Sequence, residues 1–246
     1  MHHLKIFVLA LLILTSGTAS TQQKSKKQAR PKNIILMIGD GMSTVQIYAG
    51  IAGNKGPLNL EKLKKIGFSK TNSTKFVTDS GAGATAWSTG FKTNNGAIGV
   101  DSAGNAQPTV LEIAAAHGLS TGVISTNSIT DATPASFIAH QPSRSMKYEI
   151  AADYVTSPVD LFIGAGGSNF SERPDGRNLV SELKEKGFQV LFDLEEITKV
   201  QSGKLAGFLK EAIMPERGNQ LERTALTAIN ILNKNKKGFF LMVEGS

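Results

Sequence analysis

Along residues 33–246, continuous apolar runs alternate with segments whose apolar positions recur every three to four residues. Residues 33–38, 121–126, 159–163, 188–191, 203–209 and 238–243 are the strand-like runs. The first is apolar from Ile34 to Ile38 without interruption, which predicts a strand buried on both faces of a parallel sheet. Helical periodicity marks residues 42–52, 109–117, 134–140, 146–155, 178–186, 194–200 and 219–233. A further pattern, 58–66, places Leu60, Leu63 and Ile66 on one side, and Gly67 is expected to end it. Residues 68–77 are mostly polar and predicted extended, while 53–57 and 164–167 read as turns. Strand and helix alternating in this way predict an α/β fold, with a mostly parallel central sheet flanked by helices on both faces. Residues 33–246 are expected to form one domain.

The first residues follow a different rule. Residues 1–20 carry Lys5, an apolar run at 6–14 and small residues through Ala19 and Ser20, the layout of a cleaved export signal. That run is too short to span a bilayer. Residues 21–32 are basic and rich in Gln, and predict a solvated, flexible arm. The chain has no cysteine, so an exported fold would not rest on disulfides, and no cysteine is present for lipid attachment. The formal net charge is +7 with the leader included. No aromatic residues interleave with the basic arm, and the remaining charge is dispersed, so neither nucleic acid nor a membrane is expected as partner. Localisation outside the cytoplasm, periplasmic or secreted, follows.

Candidate chemistry gathers where strands end and helices begin. Ser80, preceded by Asp79 and followed by Gly81, Ala82 and Gly83, is predicted to open a helix. There the free amides and the helix dipole favour an anion, and small side chains allow close approach. Asp40 lies between Gly39 and Gly41 just past the first strand, positioned to hold a cation or to cap the next helix. Asp131 and Thr133 lie two residues apart, before Pro134 at an expected first helical position. A carboxylate and a hydroxyl so placed suit a hard cation, and Thr133 also suits a helix cap. The guanidinium of Arg144 is planar and able to pair two phosphate oxygens, with Asp79 available to orient it, and an unpaired surface arginine is the other reading. His117 is expected at the surface near a helix end, and His140 to be structural.

Residues 78–101, with Gly39-Asp40-Gly41, Asp131-Ala132-Thr133-Pro134 and Glu244-Gly245-Ser246, closely resemble the alkaline phosphatases. The resemblance runs from about Pro31 to Ser246 in the family's order. It implies hydrolysis of phosphate monoesters through a phosphoserine on Ser80, with two zinc ions and one magnesium. It further implies that Arg144 clamps phosphate and that Asp40 bridges magnesium and one zinc, with Ser80 also at that zinc. Asp131, Thr133 and Glu244 would serve the magnesium. A homodimer is compatible with the complete family enzyme.

Further Asp and His ligands for zinc follow the Glu-Gly-Ser segment in that family. Beyond the leader this chain contains only His117 and His140. The expectation is a C-terminally incomplete domain with exposed apolar surface, able to build the magnesium site and half of one zinc site, and lacking appreciable activity. A non-catalytic remnant that binds magnesium or phosphate weakly is the rival from another class. A phosphodiesterase is the rival within the same superfamily, although a diester offers an Arg144 clamp fewer free oxygens. A sulfatase is disfavoured, since there is neither cysteine nor a Ser-x-Pro-x-Arg stretch.

Overall fold

The computed structural model describes residues 30–210 and 218–246. The expected signal and most of the basic arm lie outside these residues.

Among the described residues the strands are β1 (Ile34–Gly39), β2 (Ser120–Ser128), β3 (Leu161–Ala165), β4 (Phe188–Leu191), β5 (Lys204–Phe208) and β6 (Phe239–Gly245). They form one sheet in the order β1-β6-β2-β3-β5-β4, and every pairing is parallel. The helices are α1 (Thr44–Gly53), α2 (Ser80–Thr89), α3 (Val110–Ala116), α4 (Ala132–Ala135), α5 (Lys147–Thr156), α6 (Ser168–Ser171), α7 (Leu179–Glu185), α8 (Leu194–Lys199) and α9 (Gln220–Leu232).

The period of two along each strand sorts the core into two layers. Phe240 and Met242 of β6 and Phe162 of β3 face Leu111, Ile150, Tyr154 and Leu183, from α3, α5 and α7. Leu241, Val243, Leu161 and Ile163 face the other way, toward Ile197 of α8 and Ala228, Ile231 and Leu232 of α9. Helices therefore cover both faces, as the sequence pattern predicts.

Two sequence expectations fail. β1 is a strand but is not buried: Ile35 is 45% and Met37 73% exposed. It lies at the sheet edge, where Leu36 and Ile38 pack partly on the core and the alternate side chains face outward. Helix α1 contributes no buried residue to cover them. An apolar run shows that a strand can be buried, but only its place in the strand order decides whether it is. The second failure is the helix at 58–66, of which only a 3-10 turn at Asn59–Lys62 forms. Leu60, Leu63 and Ile66 are exposed, so the stripe has nothing to pack against and no gain offsets helix nucleation.

Smaller differences are local. Pro134 is the third residue of α4 rather than the first, with Asp131 at the cap position. The turn expected at 164–167 begins later, because β3 runs to Ala165, and α6 follows it.

Candidate active site

The carboxyl ends of β1, β6 and β2 adjoin, and the sheet register sets which side chains meet there. Ile38 of β1 pairs with Glu244 of β6, and Glu244 pairs in turn with Ser125 of β2. One residue past β1, the Asp40 amide donates to the Gly245 carbonyl at 2.9 Å. Asp40 and Glu244 are thus fixed near one another at the carboxyl ends of adjacent strands.

Helix α2 begins beside Asp40. Asp79 occupies the cap with extended backbone, and its Oδ1 accepts from the Ala82 amide at 2.9 Å. Ser80 is the first helical residue, ahead of the first intrahelical bond, and its Oγ donates to Asp40 Oδ2 at 2.9 Å. Gly81 is needed for close approach: a Cβ there would lie 3.2 Å from the Ala97 carbonyl oxygen.

Asp79 Oδ2 accepts the Gly96 amide at 3.0 Å and Arg144 Nη1 at 3.4 Å. The Arg144 amide donates to the Gly96 carbonyl at 2.7 Å. One carboxylate therefore joins the helix start, the following loop and the guanidinium. Burial pushes the Asp79 carboxyl up, but the Ala82 and Gly96 amides and Arg144 together outweigh it and hold the group below its ordinary value. Asp40, Asp79, Ser80, Thr133, Arg144 and Trp87 line one cavity of about 510 Å³.

Glu244 and Asp131 do not line that cavity. Glu244 is 2% exposed and accepts from Ser125 Oγ at 2.5 Å. Burial pushes its carboxyl above the ordinary value; hydrogen bonds from Ser125 and Thr133 act against this, and the charges of Asp40 and Asp131 add to it. Tyr154, fully buried in the core, donates its hydroxyl to the Ile129 carbonyl at 2.7 Å and so steadies the turn that leads to Asp131.

Sequence reasoning missed Lys147, whose Nζ donates to Asp131 Oδ1 at 2.5 Å. The partners are sixteen positions apart on separate elements, and no local spacing signals them. It also missed Glu112 as the partner of His140. His140 Nδ1 faces the Gly99 carbonyl at 2.8 Å and Nε2 faces Glu112 Oε1 at 3.0 Å, which makes it structural as expected. His117 Nδ1 meets the Ile113 carbonyl within its own helix, at 2.8 Å.

The donor chemistry suits one cation better than another. Three carboxylates, Asp40, Asp131 and Glu244, and the hydroxyls of Thr133 and Ser80 are hard oxygen donors of the kind magnesium takes. Glu244 is buried and feels the charges of Asp40 and Asp131, so positive charge beside it would be stabilising. The three carboxylates are not drawn into a closed cage, and no cluster of three or more acidic, His or Cys side chains able to hold a metal ion occurs among the described residues. Asp40 is engaged with Ser80, and Asp131 with Lys147. Zinc does not fit the same way: Asp40 and Ser80 are short of a typical zinc shell, and both described histidines are engaged elsewhere.

Comparison with known proteins adds a family. The alkaline phosphatase family model matches residues 31–246. Alkaline phosphatase 3 of Bacillus subtilis (strain 168) is 39% identical, over 97% of this chain and 56% of its own length. The solved alkaline phosphatase of the Antarctic bacterium TAB5 superimposes with a TM-score of 0.82 at 40% identity, covering 89% of this chain and 66% of that one. A mutant of that Antarctic enzyme with magnesium in its M3 site gives 0.81 at 41% identity, covering 88% and 64%. The chain thus spans between about half and two thirds of the length of these relatives.

Proposed function

The chain belongs to the alkaline phosphatase family, and on that premise we propose that it acts on phosphate monoesters through a covalent phosphoserine at Ser80. The observation that carries this reading is the placement of Ser80 Oγ and Arg144 on one cavity, at the start of a helix. The hydrogen bond to Asp40 fixes the hydroxyl proton on one side, leaving an Oγ lone pair for phosphorus. Arg144, oriented by Asp79, would pair two non-bridging oxygens of the incoming phosphoryl group, and the first-turn amides of α2 face the same charge. As the Oγ–phosphorus bond forms, the hydroxyl proton passes to Asp40 Oδ2, the bond to the ester oxygen breaks, and that oxygen leaves with the electron pair and takes up a proton from solvent. Water then attacks phosphorus, frees inorganic phosphate and restores Ser80.

Asp40, Asp131, Thr133 and Glu244 are the residues that would hold magnesium. Support for this comes from their oxygen donors, the charge strain on Glu244 and the magnesium of the Antarctic mutant. A bound cation of this kind supplies Lewis acidity for charge on the transferring group. Zinc ligands of the sort the family resemblance implies are not assembled among the described residues. We therefore infer that these 246 residues alone turn over monoesters far more slowly than a full-length relative. Function outside the cytoplasm is part of the same reading, and no helix among the described residues is long and apolar enough to cross a membrane.

Two measurements test this. In a chain completed with the C-terminal segment of the Bacillus relative, acid quenching with labelled phosphate should trap label, and Ser80→Ala in the same background should trap none; label persisting in the variant removes Ser80 as nucleophile. Turnover of p-nitrophenyl phosphate by this chain alone, in zinc and magnesium at alkaline pH, is expected to fall well below that of the Bacillus relative. Equal rates would overturn the inference about the ligands.

A further inference from the structure

Lys147 is the first residue of α5, and its ammonium reaches back to the turn before α4. Nζ donates to Asp131 Oδ1 at 2.5 Å and to the Thr130 carbonyl at 3.2 Å. The two side chains are 31% and 28% exposed, so the pair is neither dry nor fully solvated. Helix preference does not explain a lysine here. A cation in the first turn opposes the helix dipole, and α5 has no side-chain cap to compensate. What the position does offer is negative charge: Asp131, with Glu244 and Asp40 close enough to act on one another.

Resting on the magnesium reading above, we propose that Lys147 is a built-in competitor for the divalent cation at Asp131. Its ammonium neutralises the acidic corner while the cation is absent, and it must leave Asp131 for that carboxylate to join the cation's shell. Magnesium takes oxygens at about 2.0–2.1 Å in near-octahedral geometry and tolerates little distortion. An ammonium hydrogen-bonded to the same Oδ1 would lie within about 4 Å of the metal, where two positive charges repel strongly even under partial screening. Occupancy by one therefore disfavours the other. The lysine keeps the acidic cluster folded without a metal and sets how much free magnesium is needed to displace it.

The test uses the full chain and magnesium alone, followed by calorimetric titration of wild type, Lys147→Gln, Lys147→Arg and Asp131→Asn. Lys147→Gln should bind magnesium about five- to tenfold more tightly, the scale of a partly exposed ion pair acting on a metal ligand. Lys147→Arg should stay near wild type, and Asp131→Asn should bind more weakly. A second readout needs no variant of the lysine. Acylation of Lys147, followed by mass spectrometry, should speed up several-fold on adding magnesium to wild type and should not change in Asp131→Asn. Unchanged or weaker binding by Lys147→Gln, with Asp131→Asn still impaired, would overturn the competition while sparing the site. Undiminished binding by Asp131→Asn would instead remove the donor set and the proposal with it. Acylation indifferent to magnesium in a wild type that binds it would also overturn the proposal.

Discussion

Asp79 and Arg144 meet side chain to side chain at 3.4 Å, and the same Asp79 oxygen also holds the Gly96 amide. The guanidinium of Arg144 is therefore oriented by the residue that caps the helix of Ser80. Orientation of the Arg144 guanidinium and stability of the helix start share one carboxylate.

Asp79→Ala is expected to lower both. Loss of the cap should cost about 1 kcal/mol of stability, within the range for exchanging a capping Asp for Ala. Release of Arg144 should weaken inhibition by inorganic phosphate, read by calorimetry. Full phosphate affinity in the variant would show that Arg144 needs no such orientation.

Glu244→Gln should stabilise the metal-free chain. The Glu244 carboxyl is raised in the folded state, so its ionisation costs stability as pH climbs from the ordinary carboxylate value through the folded one. Removing that charge should therefore raise stability at neutral pH. Thermal melts in chelator, from pH 4 to 8, would show a gain growing with pH. The same variant should bind magnesium more weakly, which separates folding from ligation at one residue.

His140 predicts a decline on the alkaline side. Both ring nitrogens face acceptors, an arrangement that favours the protonated ring, in which both can donate. Burial works to push His140 down, but the Gly99 carbonyl, Glu112 and the charge of Asp153 outweigh it and raise the group. The stability this provides is complete below about pH 6.5, the unfolded value, and is lost as pH rises through the folded one. His140→Gln should flatten that decline, a difference of about 2–4 °C in melting temperature if the interaction contributes about 1 kcal/mol. Identical pH profiles for the two proteins would show that the ring is neutral.

Gly99→Ala should be severely destabilising. Its φ is +61°, and an added Cβ would collide with the Ala139 carbonyl oxygen, a backbone atom with little room to yield. The expected cost is more than about 2 kcal/mol, and the hydrogen bond between His140 and the Gly99 carbonyl should break as well. Urea titration gives the number directly.

The alternation of strand and helix made the architecture legible, because each period is imposed by the face that must be buried. The start of α2, the strand end at Asp40 and the Asp79–Arg144 pairing were legible for the same reason: glycines, caps and carboxylates carry local meaning. What escaped was set by distant neighbours. The apolar residues of β1 are identical in kind to those of β6, and only the strand order leaves one exposed and the other buried. Lys147 on Asp131 and Glu112 on His140 join separate elements, so no periodicity could reveal them. The helix at 58–66 failed because propensity without a packing partner does not fold a segment so short.

The pairing of β1 with β6 reaches further than the geometry of the site. Ile34 lies against Phe240, so the earliest described strand can join the sheet only after the chain has been made as far as Phe240. Pairings of such long sequence separation carry a large loop-closure cost before any reward, and they slow folding. During synthesis β2, β3, β4 and β5 can associate among themselves while β1 waits, its apolar side chains open to other nascent chains. Asp40, carried on the end of that waiting strand, reaches Ser80 last. The contact between Asp40 and Ser80 is thus a late event in the life of the polypeptide, and the window before it is when quality control has to act.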